Sequence, residues 1–526
     1  MTKLLIKDIL FGKTDAGNEL QEVGDEYFLD SFLPYEKYKI KEFLSGERYY
    51  IIGRKGTGKT ALLKYLECKF SEDVTNLVIP IRFKSDFDVI DKKTIKSAAV
   101  NVQDEVIEQG MADKSIKSYI AAWQVYLIYQ IFKHENSTKS EFQIFNNDSD
   151  TYKTIWALLK LLYGEQSGNK VVPKITKGTV MFGAGMDKGI EASVKIDIEL
   201  KEKEKTVKYD LVCKKIIDLY QQLDRGRNSV YILIDELELS VKSKKQRAAD
   251  IELIRDLILA TEKMNEISKA CGYSVNVYSS VRTDVLDSVY SAGYEINKSI
   301  EDYGVTVEWF QKGGDYMDNP LLKLIENKIH ASEKRKGVNQ SENVWEKYFD
   351  STINNVEVRR YILNYSWYRP RDIIRLLLLV QDQCDENNRK INQEMFDRAI
   401  QEYSNRMWNE VSEEMSLIYS PDDRKAIKKI FMGIAVPFTF NNLMDRINTY
   451  SSMFKYVEQF NNKYDIPEFL EQMFEWGVVG NSGERMVFKF LGYKDIDILK
   501  PMIIHTPLRN YFAVTGNKEE NSYSNN

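Results

Sequence analysis

Apolar and polar positions alternate along this chain in a way that first becomes sharp at residues 49–60. There the unbroken run YYII gives way to GRKGTGKT and is followed by ALLKYLE. A short apolar run bounded by glycines predicts a buried strand, and the leucine-rich stretch after it predicts a helix. The strand pattern returns at NLVIPIRF (76–83), SVYILIDELELS (229–240), GYSVNVYSSVRTDVLD (272–287) and GVTVEWF (304–310). An amphipathic helix is predicted over 246–268, between the third and fourth of these strands. Strand and helix in alternation predict an α/β fold with a parallel sheet of about five strands. Upstream, residues 28–46 predict a turn at Pro34 and a short helix ended by Gly46.

Between 91 and 228 the pattern changes and reads as an insertion. Helices are predicted over 92–110 and 113–135. In the second, Ile116, Tyr119, Ile120, Trp123, Leu127 and Ile131 recur at helical spacing, which marks a core face. A further helix is predicted near 152–163. Alternating residues over 171–200, such as GIEASVKIDIEL, predict a β-ribbon or hairpin, and KEKEKTVK (201–208) a solvated linker into a helix over 209–223.

From 318 the chain turns helical, with NPLLKLIENKIHAS, VEVRRYILNYS, SWYRPRDIIRLLLLVQDQ and a long helix over 393–415. The last part, 419–515, predicts three short helices and a hairpin around Asn481–Gly483, the order of a winged-helix module. The divisions are therefore 1–90, 91–228, 229–317, 318–418 and 419–515, with a polar tail over 516–526 expected to be disordered.

Composition narrows the class. The chain has 526 residues, enough for several domains, with 43% hydrophobic and 29% charged residues. No window reaches the roughly eighteen apolar residues of a spanning helix, and the first residues lack the apolar core of a secretion signal, so a cytoplasmic protein without membrane contact is expected. The four cysteines are far apart, which reads as reduced thiols, and three histidines make a histidine-based site improbable. A net charge of −5 argues against general attraction to nucleic acid, although a local basic patch stays open.

The chemistry concentrates at the first strand–helix junction. Gly53, Gly58, Lys59 and Thr60 fill the phosphate-loop pattern G-x-x-x-x-G-K-[ST], with Gly56 as an additional glycine. Glycines let backbone N–H groups turn inward around phosphate oxygens, and the following helix adds its positive end. Candidate nucleotide contacts are Gly53, Lys55, Gly56, Thr57, Gly58, Lys59, Thr60 and Ala61. Lys59 would reach the β/γ-phosphates, and Thr60 would offer a hydroxyl to Mg²⁺. The apolar run that opens the stretch 229–240 is followed by Asp235, placed to approach the same Mg²⁺, and Glu236, placed to polarise an attacking water. At the end of the next strand Ser280 could touch the γ-phosphate or the water. Arg282 is either a charge-stabilising arginine or a structural ion-pair partner beside a helix N-cap at Thr283. Arg369, Arg371 and Arg375 around Pro370 either point back to a site from a helix start or form a surface of paired arginines. No N-K-x-D segment is present in the late position that guanine reading would need, so ATP is preferred over GTP.

The pieces GRKGTGKTALL, ILIDELE, SSVRTD, VEWF, RPRDIIRLL and IIHTPLRNYF, in this order, resemble a family of bacterial P-loop ATPases near the STAND and origin-recognition branches of the AAA+ proteins. The resemblance implies a P-loop NTPase core, a helical lid at 318–418 in which Arg369 or Arg371 acts as a sensor arginine, and a C-terminal winged-helix-like domain. Members of such families often stand in antiviral defence or mobile-element loci beside an effector gene. Ser279 and Ser280 stand where AAA+ proteins commonly carry Asn or Thr. Three functions follow as expectations: an ATP-hydrolysing switch that forms a homo-oligomer or controls a partner effector, an ATPase that binds DNA through the C-terminal domain, and a nucleotide-dependent scaffold with little turnover.

Overall fold

A computed structural model describes residues 4–83, 100–101, 117–137, 141–163, 174–176, 179–181, 206–237, 244–293, 295–311, 313–416 and 418–513. Internal contacts divide the chain into two units. One comprises Glu36–Lys55 with Lys59–Val307, and the other Met1–Tyr35, Gly56–Gly58 and Glu308–Asn526.

The first unit is built on a five-stranded sheet of β1 (Tyr50–Gly53), β2 (Asn76–Arg82), β3 (Ser229–Leu237), β4 (Val275–Arg282) and β5 (Gly304–Thr306). The order is β5-β1-β4-β3-β2 and every pairing is parallel. Helix α1 (Lys59–Ser71) follows β1 and buries Leu62, Leu63, Leu66 and Phe70. A strand covered on both faces should be apolar throughout, and all four residues of β1 are buried. The fold is thus an α/β, parallel-sheet P-loop core. The last expected strand is shorter than its pattern, because pairing stops at Thr306 and only the Val307 N–H still reaches the sheet, at the Ile52 carbonyl, 2.7 Å.

Helices α2 (Ile120–Glu135), α3 (Asp150–Tyr163) and α4 (Tyr209–Tyr220) belong to this same unit. Helix α2 is tied to α5 (Lys244–Cys271) by buried bonds. The Trp123 indole donates to the Leu253 carbonyl at 3.0 Å, and the Tyr119 N–H donates to Asp256 Oδ2 at 2.6 Å. Asp256 is in turn paired with Arg255, 2.6 Å. Of the stripe whose spacing predicts core, Tyr119, Trp123, Leu127 and Ile131 are buried and Ile120 is half-buried, while Ile116 lies outside the described residues.

Several local expectations are corrected. Val100–Asn101, inside the helix predicted over 92–110, pair antiparallel as short strands with Lys117–Ser118, inside the helix predicted over 113–135, which begins only at Ile120; the rest of 92–110 and residues 113–116 lie outside the described residues. Thr206–Lys208, expected in a linker, pair with Thr179–Met181, which pair with Lys174–Thr176. Cross-strand pairing overrides the charge pattern there, since alternate residues of a strand face opposite sides whatever their polarity. The GIEASVKIDIEL stretch and the tail at 516–526 lie outside the described residues.

The second unit is mostly helical, and among its described residues are α7 (Pro320–Arg335), α8 (Pro370–Asp382) and α9 (Gln393–Met415), after α6 (Thr283–Ser291) of the first unit. Asn319 caps α7 by accepting from the Leu321 N–H at 2.9 Å, with Pro320 at the first helical position. A buried Lys328–Glu19 ion pair joins α7 to the N-terminal segment. Farther along come α10 (Pro421–Phe431), α11 (Phe440–Met453), α12 (Lys455–Lys463) and α13 (Ile466–Glu475), of which α12 has no counterpart in the sequence reading. The expected hairpin at Asn481–Gly483 is also corrected. Strand β6 (Val479–Asn481) meets the returning chain in one bridge, Asn481–Val487, and makes its ladder with β7 (Met502–Ile504). Among the described residues, no helix is long and apolar enough to cross a membrane, and all four cysteines are free thiols, three of them buried.

His505, directly after β7, is buried between rings, 5.6 Å from Trp367 and 4.9 Å from Phe490. Burial lowers its pKa to about 3. The unfolded chain therefore takes up a proton below about pH 6.5 that the folded chain refuses, so this stability is present above that pH and is lost as pH falls toward 3. Between pH 7 and pH 4.5 the loss should reach about 3 kcal/mol. Denaturant unfolding at the two pH values, compared with His505→Phe, checks this, and the variant should lose that part of the pH dependence.

Candidate nucleotide-binding site

Between Gly53, the last residue of β1, and Lys59, the first of α1, the chain turns through Gly56 at φ +82° and Gly58 at φ +95°. Both angles lie in the left-handed region, where a Cβ costs roughly 1–2 kcal/mol, so glycine is required at both positions. A Cβ on Gly56 would also come within 3.3 Å of Arg371 Cβ. The turn delivers the chain to the start of a 13-residue helix, whose first N–H groups lack intrahelical partners and carry the positive end of the dipole. Thr60 and Ala61 stand in that first turn. Lys59 Nζ donates to the Gly53 carbonyl at 3.0 Å and the Arg54 carbonyl at 2.9 Å. These bonds fold the ammonium back over its own loop. Thr57 is buried, whereas Lys55 is half-buried.

Because β1, β4 and β3 are parallel neighbours, their carboxyl ends share one edge of the sheet, where open α/β sheets bind ligands. Gly53 is in register with Arg282, and Ile51 with Ser280. On the other side of β4 the register slips, since Ile234 pairs with Ser279 but Leu237 with Val281. Two residues, Asp235 and Glu236, thus face Ser280. This is a β-bulge, and it puts Glu236 at φ +61°, a left-handed conformation uncommon for a glutamate. Ser280 Oγ donates to Asp235 Oδ1, and the Phe83 N–H donates to the Asp235 carbonyl at 2.9 Å. Asp235 is therefore fixed from both neighbouring strands. Neither the bulge nor the serine–aspartate bond can be read from the sequence, because both depend on which strand lies beside β3.

Among the described residues no cluster of three or more His, Cys, Asp or Glu could hold a metal ion by itself. The oxygen donors at the site, the Thr60 hydroxyl and the Asp235 carboxylate, are the hard and incomplete set that suits Mg²⁺ completed by phosphate and water oxygens. The residues fit that group.

The arginines differ in their bonding. Arg282 makes a two-point ion pair with Asp284, 2.9 Å on each arm, and itself occupies the cap position of α6, so Thr283 is the first helical residue and not the N-cap expected there. Arg369, in the second unit, is 11% exposed and bonds both oxygens of Asp372 at 2.9 Å, while Glu410 lies 3.1 Å away. Its guanidinium also lies over the Trp367 ring at 4.5 Å. Arg375 completes the group by pairing with Glu410 at 2.8 Å. Burial alone would raise the Glu410 pKa, but Arg369, Arg375 and Arg371 outweigh it and hold the carboxyl below its ordinary value. Arg371 is half-buried and donates through Nε to the Thr14 carbonyl at 3.3 Å. Its backbone N–H donates to the Gly56 carbonyl at 3.4 Å, within the same unit. Glu410 escapes a sequence reading because it lies on α9, far along the chain from the arginines it serves.

Residues 319–412 match the family described as "FunZ-associated C-terminal helical domain". The match runs from the cap of α7 into α9 and so contains Arg369, Arg371 and Glu410. No curated protein matches the chain. Among solved structures, the crystal structure of CDC6P from Pyrobaculum aerophilum is similar at 12% identity and a TM-score of 0.33, over 95% of this chain and 99% of that one. A likeness at that level transfers no role to this chain.

Proposed function

We propose that the chain binds ATP and hydrolyses it, and that the nucleotide cycle switches its own oligomerisation or a partner effector in the cytoplasm. One observation carries this reading: a loop with Gly56 and Gly58 in left-handed backbone leads straight into a helix start, while Asp235 and Glu236 lie near the carboxyl end of a strand of the same parallel sheet. In this reading the N–H groups of the loop and of the first turn, through Thr60 and Ala61, hold the phosphates. Lys59 exchanges its two carbonyl partners for phosphate oxygens. Thr60 and Asp235 would hold Mg²⁺, which supplies neutralising charge to the phosphates. Ser280 keeps Asp235 in place. Glu236 orients a water and receives its proton, with Arg282, Arg369 or Arg371 as the source of further positive charge. The setting in bacterial antiviral defence is proposed on the motif resemblance alone.

The test compares phosphate release from ATP by the wild type, Lys59→Ala and Glu236→Gln, with mass measured in the same samples with and without ATP. Both variants should be far slower than the wild type. Equal residual rates in all three would sink the enzymatic reading, and a mass indifferent to ATP would remove the oligomer switch.

A second reading, an ATPase that binds DNA through its C-terminal domain, is favoured by one observation. Lys425 lies over Tyr456, Lys429 over Tyr450 and Phe454, and Arg446 over Tyr450, which gathers cations and rings on α10, α11 and α12. If these cations meet phosphates, duplex affinity should fall linearly in a log–log plot against salt, with a slope of about −0.9 for each contact. Affinity without salt dependence would count against it.

A further inference from the structure

The VEWF segment after β5 takes no part in the chemistry above, yet its tryptophan reaches the phosphate loop. Trp309 is 5% exposed, and its indole N–H donates to the Thr57 carbonyl at 2.8 Å. One peptide earlier, the Arg371 backbone N–H donates to the Gly56 carbonyl. All four residues belong to one unit. In a trans peptide the carbonyl of one residue and the N–H of the next lie in one plane and point in opposite directions. Fixing the Thr57 carbonyl thereby aims the Gly58 N–H away from the indole, and fixing the Gly56 carbonyl does the same for the Thr57 N–H. Without these bonds the loop would be loose here, since glycine populates both signs of φ with similar ease.

Resting on the ATP reading, we propose that Trp309 is a positioning residue for phosphate binding. Its indole holds the Thr57–Gly58 peptide so that the Gly58 N–H is presented to phosphate before the nucleotide arrives. The indole is itself braced. Tyr35 stacks on it at 6.2 Å with 14° between the rings, and Gln311 bonds the Tyr35 hydroxyl. Asn319, while capping α7, also donates to the Trp309 carbonyl at 3.3 Å. Ordering the loop in advance removes part of the entropy lost on binding. A neutral hydrogen bond of this kind has a net worth that corresponds to about a three- to tenfold change in affinity.

The test is isothermal titration of the full chain with ATP, ADP and adenosine, for the wild type and Trp309→Phe, which keeps a ring and removes the N–H. The dissociation constants for ATP and ADP should rise about three- to tenfold while that for adenosine stays unchanged. Trp309→Met, which fills the space with a flexible apolar side chain and carries no hydrogen-bond donor, should repeat the result if the phenylalanine variant folds poorly. Unchanged ATP and ADP affinities would overturn the inference. An equal loss for all three ligands would do so as well, since it would mark Trp309 as a general prop. A wild type that binds neither ATP nor ADP would instead bring down the nucleotide reading itself.

Discussion

Glu236→Gln is expected to lower ATP turnover by about a hundred- to ten-thousand-fold, the range that general-base assistance supplies, while ATP binding persists. The amide has nearly the shape of the carboxylate and is no better or worse suited to φ +61°, so the bulge between β3 and β4 should survive the exchange. Asp235 keeps its serine partner on β4. What is lost is a group able to take a proton from water. Phosphate release under saturating ATP, paired with titration of ATP binding, separates the two effects. A variant that turns over at the wild-type rate would remove Glu236 from the chemistry. One that also fails to bind ATP would show that the carboxylate holds the site together.

Glu410→Ala is expected to destabilise the chain by about 3–5 kcal/mol, the usual cost of removing one partner from a buried ion pair. Arg369, Arg375 and Glu410 are 11, 13 and 7% exposed, and Asp372 is fully buried. The four charges balance. Without Glu410 two guanidinium groups face one carboxylate in a place that water reaches poorly. Denaturant unfolding of the wild type and variant at neutral pH reads the difference, and a loss below about 1 kcal/mol would mean that the group behaves as an exposed pair. The network also bears on which arginine could sense a phosphate. Arg369 would have to leave carboxylates, whereas the Arg371 guanidinium donates to a carbonyl and would move at a lower cost.

Legibility in the sequence followed the range of the interactions involved. The loop from Gly53 to Thr60 was readable because its glycines, lysine and helix start are local requirements, fixed within a dozen residues. Strand β3 was readable because a strand buried on both faces must be apolar. The position of β4 between β1 and β3 was not, since it is decided by packing across more than two hundred residues. The bulge at Glu236 and the Ser280 bond depend on that position and were hidden with it. Thr206–Lys208 read as solvated because charge dominates the local pattern, but pairing with Thr179–Met181 decides their state. The hairpin at Asn481 was misplaced for the converse reason. Its turn residues are a strong local signal, yet the ladder forms with Met502–Ile504, which arrive only after a further loop. Helix α12 buries Val457 and Phe460, too few apolar positions to show a period.

The left-handed backbone at Glu236 has a consequence for how this chain can vary. Glycine and asparagine settle into such a conformation more easily than glutamate, so folding taken alone favours replacing the residue. Random substitutions screened for thermal stability should drift toward those two, and each removes the carboxylate. A library selected for hardiness would thus accumulate proteins that melt later and have lost the acid at the end of β3.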